Sequence, residues 1–453
     1  MSEKISTEMK QKRRDVPQAK EKKQVVMKVY YSLYGQLLSL RALYNGFRKV
    51  WRAKGAAGID QQSLSDYHLN LKENLEQLLH ELKTKEYRAS PVKRVEMTKA
   101  DGGIRLIGIP TVRDRIVQQA LSTILQPIFD PHFHPSSYGY RPKKSAHDAI
   151  SKATVFIRAY HRHWVVDMDL SKCFDRLKHD RIIQSVRKRV TDGSILGLID
   201  QFLKSGIMVG HTWQPSHEGS PQGGVISPLL ANLYLDDFDQ EMKRRNHRIV
   251  RYADDILIFC NSQKGAENAL QSATKILEQD LKLEVNQKKT RITHSDEGVS
   301  YLGVETGSRY TRIQKSKLKS LKQKIKEVTR RNGGKPLSEV IRQLNPKIRG
   351  FANYFKVAHC KREYQKLAAW IRRRLRAVQL KLWKKPKRLH RWLKQHGYPP
   401  PFQCIKMNSW RNSASPLASF AMPNRWFEEQ GLYSLEKAET GWLAPSMNQY
   451  RRG

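Results

Sequence analysis

The sequence predicts an α+β fold, and three observations carry that expectation. Short β-branched and aromatic runs alternate with longer stretches of helical periodicity. One apolar run, from Arg248 to Phe259, is interrupted by two adjacent carboxylates, Asp254 and Asp255. Beyond about residue 311 the pattern becomes helical and strongly basic, with 28 Lys and Arg against 3 Glu between Thr311 and Gln395.

Residues 1–24 are polar and basic and read as poorly ordered. A helix is predicted from Val25 to Lys54, with Leu37, Leu38, Leu40, Leu43, Tyr44 and Phe47 on related faces, and a glycine turn follows at Gly55–Asp60. The two glycines there lack the spacing of a dinucleotide loop. A second amphipathic helix is expected over 66–84. Strands are expected at Pro91–Met97 and Ile104–Pro110 around the turn Asp101-Gly102-Gly103, then a helix from Val112 to Leu125. A strand from Trp164 to Leu170 and the hairpin at Asp254 frame a central helical region, and Tyr301-Leu302-Gly303 marks a closing turn.

The chain has 453 residues, enough for two to four domains. Its 84 basic residues exceed its 42 acidic ones, a formal charge of +42 that marks a polyanion, foremost nucleic acid, as partner. No apolar run reaches the roughly 18 residues needed to span a membrane, and the first residues lack the apolar core of a signal peptide. Cys173, Cys260, Cys360 and Cys404 form no C-x-x-C pair, which argues against a disulfide framework or zinc module and fits a reducing cytosol.

Two acidic elements suggest metal chemistry. The flanks of Tyr252-Ala253-Asp254-Asp255 read as two strands, so the carboxylates fall at a turn, where a divalent metal is the natural counter-charge. In Trp164-Val165-Val166-Asp167-Met168-Asp169, alternation puts Asp167 and Asp169 on one strand face. Asp169 meets Asp254 if the two strands neighbour each other. Carboxylates so placed can hold two metal ions roughly 3.5–4 Å apart for phosphoryl transfer. A third element, Ser220-Pro221-Gln222-Gly223-Gly224, is a small-residue loop entering a helix, which lets a nucleotide or template approach the backbone.

In this order and spacing the three elements resemble the reverse transcriptases encoded by bacterial group II introns, over about residues 55–430. Asp169–Asp175, Ser220–Gly223 and Tyr252–Asp255 are similar to that family's catalytic and nucleotide motifs. Asn286-Gln287-Lys288-Lys289-Thr290 and Tyr301–Gly303 resemble its later palm motifs, and Arg105–Pro110 and Ser137–Pro142 its fingers. Asn345–Phe355 resembles its maturase-specific thumb.

The resemblance implies a right-hand polymerase followed by an α-helical thumb or maturase domain. The implied boundaries are a basic N-terminal extension and helix at 1–54, fingers at 55–165, palm with some finger elements at 166–310, thumb at 311–397 and a C-terminal tail at 398–453. It implies that Asp169, Asp254 and Asp255 bind two Mg²⁺, with Mn²⁺ as an alternative. Phe174 excludes a ribose 2′-hydroxyl, Lys99 and Arg105 meet the triphosphate, Gln222 lies by the incoming nucleotide, and Lys289 assists the leaving pyrophosphate. Arg349, Arg372, Arg373, Arg374, Arg376, Lys384 and Lys385 are expected on RNA phosphates. Trp370 and Trp383 are expected in the core rather than on bases.

The expected partners are intron RNA, an RNA template with a DNA primer, dNTPs and a DNA target, in a bacterial cytoplasm, with the oligomeric state open. After Pro401 there is one cysteine and no histidine, so no HNH nuclease is expected, and mobility would need a primer made elsewhere. Two alternatives share these motifs. An RNA-binding maturase without polymerase activity would be marked by loss of a catalytic carboxylate, and none is lost here. A domesticated relative in defence or DNA repair would be separated by genomic context.

Overall fold

The computed structural model describes residues 28–98, 102–210, 212–383, 386–395, 397, 413, 418–419, 422–445 and 447. The polar start of the chain, Lys99, Lys384, Lys385 and Cys404 lie outside the described residues.

The first helical stretch is two pieces, α1 (Tyr34–Leu37) and α2 (Leu40–Ala53), where one helix is expected from Val25 to Lys54. Ser39 separates them, because its extended backbone lets Oγ accept from Ala42 N–H and cap α2. The 66–84 prediction divides likewise into α3 (Leu64–Leu69) and α4 (Leu71–Thr84), and α3 opens on a Ser63–Asp66 capping box. β1 (Val92–Thr98) and β2 (Ile104–Ile109) pair as an antiparallel hairpin, and α5 (Val112–Phe129) follows. Then come α6 (Ala146–Arg158), β3 (Trp164–Met168), α7 (His179–Arg187), α8 (Gly193–Lys204), β4 (Ile207–Val209) and β5 (Thr212–Gln214). The fingers sheet has the order β2-β1-β4-β5, with β4 parallel to β1.

α9 (Ser227–Arg244) leads into β6 (Arg248–Tyr252), β7 (Asp255–Cys260), α10 (Gln263–Lys275) and β8 (Arg291–His294). The palm sheet is antiparallel in the order β6-β7-β3-β8. β3 is therefore central, and Met168 opposite Ile256 leaves Asp169 at the same edge as Asp255. Alternation gives this sheet two different faces. Ile249, Ile256, Ile258, Val166 and Met168 enter the core shared with the fingers and α9, whereas Val250, Leu257, Phe259 and Val165 enter the core shared with the thumb. Asp167 and Asp255 follow the second set.

β9 (Val299–Tyr301), β10 (Val304–Thr306) and β11 (Thr311–Ile313) form a three-stranded meander that hands the chain to the thumb helices α11 (Lys315–Val328), α12 (Leu337–Tyr354), α13 (Lys361–Trp383) and α14 (Pro386–Gln395). A later helix, α15 (Asn424–Glu429), returns to α13, so Trp426, Phe427 and Leu435 join the core of α12 and α13. Trp370 and Trp383 pack half-buried against that core, as expected.

Two of the cations expected on RNA are engaged inside this packing. Arg372 is almost fully buried and makes a forked pair with Glu436, at 3.0 and 2.9 Å. Arg376 is buried and donates through Nε and Nη2 to the Met422 carbonyl at 3.0 and 2.9 Å. Both turn inward because the returning segment supplies acceptors that a helix surface alone lacks. Among the described residues, no helix is long and apolar enough to cross a membrane.

Candidate active site

The hairpin between β6 and β7 carries the acidic turn. Tyr252 pairs with Asp255, which leaves Ala253 and Asp254 as a two-residue connection. Ala253 has φ +59°, left-handed as the first position of a primed hairpin turn requires, although it is not glycine. Such a residue costs on the order of 1 kcal/mol, so neighbours must hold it there.

The aspartates come together electrostatically. Burial first, then the carboxylates of Asp254, Asp169 and Asp167, pushes Asp255 up to about 7. Burial raises Asp254 as well, Asp169 adds to that, and Arg105 opposes it. Burial also raises Asp167, against the pull of Arg291, whose Nε lies 3.4 Å away. Asp169 has closer company: Asn286 Nδ2 donates to its Oδ2 at 3.0 Å, and Lys289 Nζ lies 3.5 Å from the same oxygen. The backbone supports this, since Asn286 N–H donates to the Asp169 carbonyl at 2.8 Å.

Among the described residues, no three His, Cys, Asp or Glu side chains are drawn closely enough together to form a ready-made metal cage. The donor chemistry nevertheless fits a hard divalent cation. Carboxylate oxygens crowd one edge, and partial burial first, then their mutual repulsion, raises two of them above the ordinary carboxylate range.

The Ser220–Gly224 loop packs between the segment that follows β3 and the β2 strand. Ser220 N–H donates to the Phe174 carbonyl and Gly219 N–H to the Leu177 carbonyl, both at 2.7 Å. On its other side Gly108 N–H donates to the Gln222 carbonyl at 2.8 Å, and a Cβ on Gly223 would lie 2.6 Å from the Gly108 oxygen. Gln118, buried on α5, accepts from Val225 N–H at 2.8 Å and fixes the loop's exit. The loop is thereby tied to both the fingers hairpin and the segment after β3. Phe174 is half-buried, with its ring edge-on to Tyr140 at 6.3 Å. Arg105 is exposed on β2, and its charge acts on both Tyr140 and Asp254.

The structure thus brings together Asp169, Asp254, Asp255, Arg105 and Lys289, with Phe174 reached through Tyr140, while Gln222 is placed only by its backbone contact to Gly108. The predicted RNA-facing cations are scattered. Arg349 and Arg373 are exposed, with Arg349 lying over the Tyr433 ring at 5.3 Å. Arg374 stacks on Trp370 and donates to Thr329 Oγ1 at 2.6 Å, and Arg372 and Arg376 are buried as described. A more open cationic surface lies on α11. Lys315, Lys319, Lys322 and Lys326 form one exposed stripe on a different face from buried Leu321 and Ile325. Sequence reasoning weighed charge density and passed over this stripe, although its i, i+4, i+7, i+11 spacing was readable. It also assigned no role to Asn286, Tyr140 or Gln118. The first two lie inside motifs already recognised.

Comparison with known families agrees with this geometry. Residues 97–306 match the reverse transcriptase (RNA-dependent DNA polymerase) family, and residues 318–398 match the group II intron maturase-specific domain. Protein YkfC of Escherichia coli (strain K12) is 33% identical over 300 residues, which are 57% of this chain and 79% of YkfC. The group II intron-encoded protein LtrA of Lactococcus lactis subsp. cremoris is 27% identical over 412 residues, 76% of this chain and 66% of LtrA. Among solved structures, a telomerase from Candida albicans in complex with a telomeric RNA fragment aligns over 76% of this chain and 69% of its own, at 12% identity and a TM-score of 0.41. With a polymerase domain and a maturase domain in tandem on one chain, the protein belongs to the family of group II intron-encoded reverse transcriptases and maturases.

Proposed function

We propose that the edge of the palm sheet at Asp169, Asp254 and Asp255 adds deoxynucleotides to a primer 3′-hydroxyl, copying intron RNA into cDNA. The observation that carries this reading is that the palm strands bring Asp169, Asp254 and Asp255 to one end of the sheet, just ahead of Phe174, whose carbonyl holds the Ser220 loop. Mg²⁺, or Mn²⁺ in its place, held by the three aspartates would supply the positive charge that phosphoryl transfer needs.

The remaining residues take the following roles, Lys99 lying outside the described residues. Arg105, extended from β2 toward Asp254, pairs with the triphosphate, together with Lys99. Phe174, backed by Tyr140, forms the floor under the sugar and leaves no room for a 2′-hydroxyl. Gln222 borders the base, and its loop keeps small residues where the nucleotide passes. Lys289, beside Asp169, offers a proton or charge to the departing pyrophosphate.

We take the domains as fingers at 55–165, palm with some finger elements at 166–310 and thumb at 311–397. In the maturase domain, RNA phosphates are contacted by Arg349 and Arg373, with Lys384 and Lys385 beyond the described side chains, and the α11 lysines extend that surface. The same contacts hold the intron RNA during splicing, and a DNA target receives the product. The setting we infer for this work is the bacterial cytoplasm, where the transcript would be spliced and copied.

The test is primer extension on an RNA template with dNTPs and Mg²⁺, wild type beside Asp254→Ala. Extension by wild type alone is the expected result. No extension by either, with tight and salt-sensitive RNA binding retained, would leave a splicing cofactor.

A further inference from the structure

Arg251 is the one arginine among the described residues that is fully buried together with its carboxylate partner. It sits on β6 with no exposed side-chain surface, and Asp239 on α9 is equally buried. Charges in such a place are costly unless every donor and acceptor is matched. Here the match is close. Nε donates to both Asp239 oxygens at 2.9 and 3.0 Å, and Nη2 donates to Oδ2 at 2.5 Å. Nη1 donates to Asn232 Oδ1 at 3.0 Å and to the Ala253 carbonyl at 2.9 Å.

The Ala253 hydrogen bond reaches the acidic turn, at the left-handed residue just before Asp254. The network then continues outward. Asn232 Nδ2 donates to the Gly139 carbonyl at 2.8 Å. Arg251 N–H donates to the Ser136 carbonyl and Tyr138 N–H to the Arg251 carbonyl, both at 2.9 Å. Gly139 lies flat on the turn, where a Cβ would come within 2.3 Å of Ala253 N. The turn is held from below by a guanidinium and from the side by a loop, and α9 anchors both.

We propose that Arg251, with Asn232 and Asp239, is a positioning element for the catalytic turn, holding Ala253 in its left-handed conformation and so fixing where Asp254 stands relative to Asp169 and Tyr140. This inference rests on reading the turn as a polymerase centre. A planar fork is required, because Nε and Nη2 both engage Asp239 while Nη1 reaches two further acceptors. A lysine retains the charge but cannot make those hydrogen bonds together.

The test is single-turnover extension of a DNA primer on an RNA template with Mg²⁺, comparing wild type, Arg251→Lys and Gly139→Ala. Gly139→Ala leaves the buried ion pair intact and displaces the turn from the opposite side. The active fraction is taken from the burst amplitude, so each rate is read per active molecule. Between about tenfold and a hundredfold loss of maximal rate is expected in both variants, the scale on which a remote mutation misplaces reacting groups. In Arg251→Lys the dNTP concentration at half-maximal rate should change far less, because Arg105, Phe174 and Tyr140 are untouched. If amplitudes fall while the rate per active molecule matches wild type, the network merely stabilises the fold and the proposal is overturned. If wild type itself does not extend, the polymerase reading fails and the proposal falls with it.

Discussion

In the palm, Asp167, Asp254 and Asp255 share one sheet edge with Asp169, and burial raises the first three above the ordinary carboxylate range. In the thumb, Arg372, Arg374 and Arg376 sit on one helix and are neutralised or stacked by their own fold. One region holds charge in a state that a ligand would relieve; the other has already committed its charge to packing. Charge density in a sequence therefore does not locate a binding surface. What distinguishes the two is whether the fold supplies a partner, and that depends on segments far away in the chain.

The largest test of this contrast is Asp254→Ala. Removing the central carboxylate should lower primer extension by about a hundred- to a thousandfold or more, comparable to removing a principal transition-state interaction. RNA binding should be unchanged, because the acidic edge does not contribute attraction to phosphates. Extension assays paired with filter binding check both halves. Retention of full extension would remove the palm edge from catalysis.

The palm was legible because its geometry is local. A hairpin of known period fixes where Asp254 and Asp255 fall, and alternation fixes the face of Asp167 and Asp169. Only the adjacency of β3 and β7 had to be supposed. The clamp beneath the turn was less visible, although an arginine between Val250 and Tyr252 in an apolar strand is itself a sign of a buried acidic partner. Its partner on α9 could not be chosen from several acids nearby. The thumb was legible as helical and basic, but not residue by residue. Whether Arg372 faces RNA or Glu436 is decided by a segment returning 64 residues later. The breaks at Ser39 and Asn70 were missed because apolar periodicity ran across them; at Ser39 a capping side chain overrode it.

Arg372→Ala sharpens the thumb half of the comparison. Glu436, whose side chain is about a third exposed, would be left without its forked partner, which should cost about 1–2 kcal/mol of stability. The salt dependence of RNA affinity should stay the same in the folded fraction. Denaturant unfolding and binding at several salt concentrations separate the two effects. A shallower salt slope with unchanged stability would return Arg372 to the RNA surface.

A smaller effect is expected from the exposed stripe on α11. Changing Lys322 to Gln should weaken RNA binding a few-fold and reduce the slope of log affinity against log salt by about 1, the change expected when a single phosphate is no longer neutralised. Stability should hardly change, since the side chain is exposed. An unaltered slope across Lys319, Lys322 and Lys326 variants would show that RNA takes another path over the thumb.

The smallest test concerns two aspartates three residues apart on α9. Asp239 is matched by Arg251, whereas Asp236 has a backbone N–H of His134 at 3.1 Å and the Gln240 amide at 3.2 Å, but no guanidinium. Burial first, and then the Asp239 charge, pushes Asp236 up to about 6. Its folded form therefore holds a proton more tightly than its unfolded form does, the latter titrating near 3.9. The sign follows from linkage: this contribution to stability is full below about pH 4 and is lost as pH rises through about 6. Asp236→Asn removes that dependence, because the amide stays neutral throughout. Between pH 5 and pH 7.5, wild type should lose on the order of 1 kcal/mol relative to the variant, read as a divergence of their melting temperatures. Parallel curves would mean that Asp236 stays ionised beside Asp239. The Arg251 guanidinium would then be neutralising both carboxylates rather than one.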